Sequence, residues 1–80
     1  MVKEEVMTKL HDIISNVLKL SGLDLTDDMS ANDIDGWDSL SNMTIISEIE
    51  HTFNIKLKMR DIVHMKNIGD MCDIILKRVA

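Results

Sequence analysis

The sequence predicts an all-α fold, a small four-helix bundle with a long loop between helices one and two and a short third helix. Three observations predict it. Apolar residues recur at i, i+3, i+4 and i+7 spacing in three separate stretches. Each of those stretches opens on acidic or capping residues. The one alternating stretch, Asn54-Ile55-Lys56-Leu57-Lys58, would be a lone strand without a partner. Eighty residues suit one domain, 1–80, and a modest core. No linker, repeat or low-complexity segment interrupts it.

Val6, Leu10, Ile13, Ile14, Val17 and Leu18 set the first helix, expected from about Lys3 to Leu20. Glu4 and Glu5 in its first turn and Lys19 in its last suit the helix dipole. Ser21-Gly22 is a natural stop, with Gly22 suited to a left-handed cap. From Ser21 to Trp37 the residues are those of a long loop, and loops of that length are usually functional. Leu23, Leu25, Met29 and Ile34 are expected to pin it across the helices.

Gly36 breaks the chain before Trp37-Asp38-Ser39-Leu40. Asp38 is a good N-cap, its carboxylate able to accept from exposed backbone N–H groups. Ser39 then occupies the first helical position with its hydroxyl facing solvent. The second helix is expected to reach about Thr52, with Leu40, Met43, Ile46, Ile49 and Phe53 at helical spacing. Ile46, Ile49 and Phe53 should face the other helices. Asn54–Lys58 reads as an extended connector, followed by a short helical turn around Arg60–His64. Asn67 caps the last helix, and Asp70 three residues on completes an approximate capping box. Its stripe is Ile68, Met71, Cys72, Ile75 and Val79, and it runs from about Ile68 to Arg78.

Hydrophobic residues make up 45 % of the chain, a globular composition. No apolar run approaches the roughly 18–20 residues that cross a bilayer. The start, Met1-Val2-Lys3-Glu4-Glu5, lacks a signal-peptide core, so a cytoplasmic location without membrane insertion is expected. Cys72 is the only cysteine, which excludes an internal disulfide and reads as a small buried hydrophobe. The net charge is −5, unevenly spread. No lysine or arginine lies between Lys19 and Lys56, where Asp24, Asp27, Asp28, Asp33, Asp35, Asp38, Glu48 and Glu50 stand. Lys56, Lys58, Arg60 and Lys66 follow, opposed only by Asp61. Such an acidic field repels nucleic acid and anionic lipid and favours partners with basic patches. A plain solvated loop is the alternative.

Enzyme readings fail on residue supply. His11, His51 and His64 lie on separate predicted elements, none at metal-ligand spacing, and read as surface or cap residues. No nucleophile elbow or oxyanion-hole glycines accompany Ser39. Asp33-Ile34-Asp35-Gly36 invites comparison with a calcium loop. Aligning Gly36 with the loop glycine puts Ala31 at the first ligand position and Asn42 at the last, so the comparison fails. No metal site and no catalytic residue are predicted.

Through Gly36-Trp37-Asp38-Ser39-Leu40, and through its length and helix order, the chain resembles the acyl carrier proteins. The resemblance implies that Ser39 is esterified by 4′-phosphopantetheine, taken from coenzyme A by a separate phosphopantetheinyl transferase. It implies that Asp38 assists that transferase as well as capping the helix. It makes helix two the recognition helix, with Leu40, Met43, Thr44, Ser47 and Glu48, and His51 nearby, as docking residues for acyl-loading and acyl-processing enzymes. It also places Ile46, Ile49, Phe53, Ile62 and Ile68 where family members line an acyl cleft; plain core is the competing role of each. The expected protein is a monomeric carrier. Ser41, Asn42, Thr44 and Ser47 fill positions where housekeeping carriers often have acids, and Trp37 resembles carriers of specialised pathways. A specialised lipid, polyketide-like or related pathway is therefore expected. An aminoacyl or peptidyl carrier and an unmodified acidic helical adaptor are the alternatives.

Overall fold

The computed structural model describes residues 1–79, and Ala80 lies outside the described residues. The described chain is helical throughout its regular parts: α1 (Lys3–Leu18), a 3₁₀ turn (Ala31–Asp33), α2 (Ser39–Phe53), α3 (Met59–His64) and α4 (Ile68–Val79). The all-α expectation holds. Helix α1 packs against both α2 and α4. Their shared core is Val6, Leu10, Ile13 and Ile14 from α1, Ile45, Ile49 and Phe53 from α2, and Ile68, Met71, Cys72 and Ile75 from α4.

Helix α1 stops two residues earlier than expected, at Leu18. Lys19, not Gly22, takes the left-handed cap at φ 56°, and the N–H groups of Lys19 and Leu20 both turn back to the Ser15 carbonyl. The helix is thus closed before the glycine is reached. Helix α2 ends one residue later, at Phe53, where Asn54 adopts φ 54°. Asparagine tolerates that conformation because its short polar side chain relieves the steric cost. Helix α3 gains Met59 at its start and α4 gains Val79 at its end.

The inward stripe of α2 holds the expected Ile46, Ile49 and Phe53 and gains Ile45, which was not foreseen. Leu40 and Met43 point outward, 82 % and 61 % exposed, as residues expected to dock partners would.

The loop from Lys19 to Asp38 is tied down along its length. His11 Nε2 donates to the Leu23 carbonyl at 2.6 Å, and Lys3 pairs with Asp27. Ile68 N–H donates to the Met29 carbonyl and Gly69 N–H to the Asp27 carbonyl, both at 2.9 Å. The loop therefore supplies acceptors to N–H groups at the start of α4 that no helix can satisfy internally. Asn67 Oδ1 adds a bond from Asp70 N–H at 2.8 Å, the N-cap expected. Among the described residues, the reciprocal bond from Asn67 N–H to the Asp70 carboxylate is not formed. Ser30 and Asp33 close the 3₁₀ turn with their own capping box.

Candidate functional site

Gly36 and Asp38 shape the start of α2. Gly36 sits at φ 84°, a left-handed conformation that costs a glycine little. It reverses the chain between buried Ile34 and half-buried Trp37. Asp38 is the N-cap, with extended backbone at φ −120° and ψ −170°. Its Oδ1 accepts from Ser41 N–H at 2.9 Å, and its own N–H donates to Ser41 Oγ at 2.8 Å. Ser41 Oγ also reaches the Gly36 carbonyl at 2.9 Å. Ser41 is thus the reciprocal half of a capping box, a role the sequence reading missed. The Asp-x-x-Ser spacing was the signal for it.

The Ser41 N–H, helped by its hydroxyl, holds the Asp38 carboxyl below the usual carboxylate range. Such a carboxylate is a weak base. Ser39 lies inside this turn as the first residue of α2, exposed, and its hydroxyl enters none of the bonds that hold the turn. Among the described residues no side chain hydrogen-bonds to that hydroxyl.

Ser39 stands on the rim of an open depression of about 390 Å³, lined also by Ala31, Trp37, Asp38, Asn42 and Met65. Trp37 is fixed there by its indole N–H, which donates to Asn42 Oδ1 at 3.0 Å. Ala31, Trp37, Asn42 and Met65 also border a tighter cavity of about 50 Å³ that reaches Met29, Ile68 and Met71. An exposed hydroxyl beside open space is what attachment of a long arm requires, so these residues fit a covalent phosphopantetheine.

The expected docking residues Leu40, Met43, Thr44, Ser47, Glu48 and His51 are all exposed. At 100° per residue they share one face of α2. Glu48 lies at the edge of that face, bordering a groove with Lys9, Asp12 and Asn16 of α1. Thr44 Oγ1 bonds back to the Leu40 carbonyl at 3.3 Å.

The expected cleft residues fall into three settings. Ile49, Phe53 and Ile68 belong to the main core, Ile46 is buried outside that cluster, and Ile62 is half-buried. Ile68 alone of the five borders the small cavity near Ser39; Met29, Ala31, Trp37, Met65 and Met71, its other apolar walls, were not foreseen as lining. Cys72 is fully buried, and burial pushes its thiol pKa up. Among the described residues no cluster of His, Cys, Asp or Glu is arranged to hold a metal ion, and no helix is long and apolar enough to cross a membrane.

A family model for the phosphopantetheine attachment site matches residues 8–75. The acyl carrier protein of Cyanidium caldarium is 32 % identical over 78 residues, covering 96 % of this chain and 90 % of that one. The acyl carrier protein of Guillardia theta is 32 % identical over 81 residues, covering 100 % and 99 %. Among solved structures, the solution structure of the holo acyl carrier protein from Geobacter metallireducens superposes with a TM-score of 0.86 at 37 % identity. It covers 91 % of this chain and 84 % of that one.

Proposed function

Because the chain belongs to the acyl carrier protein family, we propose that Ser39 is the residue that takes up its 4′-phosphopantetheine. We propose further that residues 1–80 form one carrier domain serving a specialised lipid, polyketide-like or related biosynthetic pathway. Covalent 4′-phosphopantetheine is the cofactor of this family, and its members are carriers rather than catalysts. When bound, its terminal thiol holds acyl groups as thioesters.

One observation carries the Ser39 reading: of the two serines at the start of α2, Ser39 has the exposed, uncommitted hydroxyl, while Ser41 is consumed by the capping box. Asp38 holds the turn, its carboxylate engaged with Ser41 and not with the Ser39 hydroxyl. Activation of the Ser39 hydroxyl therefore falls to the phosphopantetheinyl transferase. Leu40 and Met43, exposed beside Ser39, supply apolar contact area to that enzyme and to acyl-loading and acyl-processing enzymes. Thr44, Ser47 and Glu48 extend the same face. A cytoplasmic monomer, meeting its partners by diffusion, completes the reading.

The pathway assignment rests on the polar, weakly acidic face of α2 and on Trp37, which pairs with Asn42 in place of an acid. The test is intact mass after incubation with coenzyme A and a broad-specificity transferase. Wild type and Ser41→Ala should each gain one phosphopantetheinyl group, and Ser39→Ala none. Modification that survives in Ser39→Ala overturns the site. Failure of the wild type to accept the group would favour an unmodified adaptor, and exclusive loading by an aminoacyl-activating enzyme would favour an aminoacyl or peptidyl carrier.

A further inference from the structure

We propose that the solvent face of α3 and its flanks is a second docking surface, built for a protein partner that presents carboxylates around an apolar patch. Lys56, Lys58, Arg60 and Lys66 all lie in this short stretch and all are exposed. Its only carboxylate, Asp61, is buried and bound to Arg78, so it is withdrawn from the surface. Glu50, the acid that precedes the stretch, accepts from Leu57 N–H at 2.8 Å. Among the described residues none of the four cations forms an ion pair. Glu50 keeps its charge at the start of the stretch, and Asp70 and Asp73 border the depression that His64 and Lys66 line, so the net positive charge centres on Lys56, Lys58 and Arg60, in a chain whose net charge is −5.

It is also apolar at its centre. Met59 and Val63 are 73 % and 61 % exposed and stand one helical turn apart. Arg60 and His64 repeat that spacing beside them, and both are exposed. Lys56 and Lys58 alternate with half-buried Ile55 and Leu57, so the two lysines project to the solvent side of the connector. An apolar centre within a charged rim is the ordinary anatomy of a protein interface.

Charge and size select the occupant. A bilayer rich in anionic lipid presents its negative field to the whole molecule, including the carboxylates between Asp24 and Glu50. A protein can confine its carboxylates to this one face. A six-residue helix offering two apolar side chains also buries too little to hold a bilayer, where amphipathic anchors are longer. The surface is independent of the Ser39 reading and would act on the modified and unmodified chain alike.

The test uses the full chain and three probes: a soluble peptide of mixed glutamate and leucine, vesicles of equal parts phosphatidylglycerol and phosphatidylcholine, and the chain itself at rising concentration. Binding is followed by backbone amide and methyl NMR shifts. The peptide should shift Lys58, Met59, Arg60 and Val63, and its affinity should fall about tenfold in the Lys58→Glu/Arg60→Glu variant. Met59→Ala/Val63→Ala, which removes only exposed apolar atoms, should weaken it several-fold. Modification of Ser39 by the broad-specificity transferase should not slow in either variant. Peptide shifts elsewhere, or unchanged affinity in the variants, overturn the proposal. So does slowed Ser39 modification, which would make this face part of the transferase site. Vesicle binding through these residues would overturn it in favour of a membrane, and concentration-dependent shifts of Met59 and Val63 in the chain alone in favour of a second copy.

Discussion

Arg78 grips Asp61 with two bonds, Nη2 to Oδ1 at 2.7 Å and Nε to Oδ2 at 3.1 Å. The pair joins the last turn of α4 to the first turn of α3. Asp61 Oδ2 also accepts from Lys58 N–H at 2.9 Å and so caps α3. Three donors converge on a carboxylate only 8 % exposed. A six-residue helix cannot hold itself together by propensity. This ion pair, with the half-burial of Ile62, fixes α3 to the bundle.

Acid should therefore loosen the third helix first. The Arg78 guanidinium, followed by the Lys58 N–H, holds the Asp61 carboxyl below its ordinary pKa. A group depressed in the folded state contributes stability that is complete above its unfolded pKa, near 4, and is lost as pH falls through the folded value. The melting temperature of the wild type should accordingly drop below about pH 4. Asp61→Asn should melt lower at neutral pH and lose less on acidification. Melting curves for both proteins from neutral to strongly acid pH check this. Parallel pH profiles would remove Asp61 from the account of stability.

The Arg78–Asp61 pair also marks where sequence reading ran out. The two residues lie 17 apart, and nothing in local spacing pairs them. Helix positions were legible because amphipathic periodicity and caps are local: Asp38 and Asn67 each begin a helix as their residue types dictate. The burial of Ile45 was not legible, because it depends on the neighbours that α2 meets in the assembled core. The fastening of the loop by His11 and Lys3 escaped for the same reason. Ser39 stood out through its motif, with Trp37 and Asn42 close to it in sequence, whereas Ala31 and Met65 reach the same depression from separate segments.

Gly69 should resist replacement although it sits in a helix. Alanine in place of a helical glycine ordinarily stabilises by about 0.5–1 kcal/mol. Here an added Cβ would lie 3.3 Å from both Cβ and the carbonyl oxygen of Asp27, the same carbonyl that accepts from Gly69 N–H. Gly69→Ala should forfeit the usual gain, push the loop from α4, and expose the loop amides to faster hydrogen exchange. A variant more stable than wild type, with unchanged exchange around Asp27, would show that the loop yields freely.

Phe53 closes the core at the end of α2, 7 % exposed, with the Lys9 ammonium 5.8 Å from its ring centroid. Phe53→Ala should cost about 3–5 kcal/mol, a large share of the stability of so small a domain. Chemical denaturation should show a lower midpoint and a broadened transition. Wild-type unfolding in this variant would mean that the ring contributes little to the packing of α1 on α2.

Partner recruitment should depend on the field of the acidic stretch more than on any single acid. Of its carboxylates, Asp33 and Asp38 accept local backbone N–H bonds, Glu50 accepts from Leu57, and Asp27 is neutralised by Lys3. Hydrogen bonds to N–H groups leave the charge in place, so Asp33, Asp38 and Glu50 still project a negative potential. Asp24, Asp35 and Glu48 are exposed and add to it. A field of this kind speeds encounter with a basic surface more than it deepens final affinity. Raising salt should therefore slow modification of Ser39 through association, because the Debye length falls to roughly 3 Å at 1 M. Glu48→Lys reverses a charge on the proposed recognition face and, beside Lys9, also reverses the sign of the groove edge. It should slow transfer while the fold persists, since Glu48 makes no bond that holds α2. Met43→Ala should slow transfer with no change in salt dependence, because it removes apolar contact and no charge. The measurement is transfer rate against ionic strength for the three proteins. A flat salt response, with Glu48→Lys equal to wild type, would leave Leu40 and Met43 as the whole basis of docking.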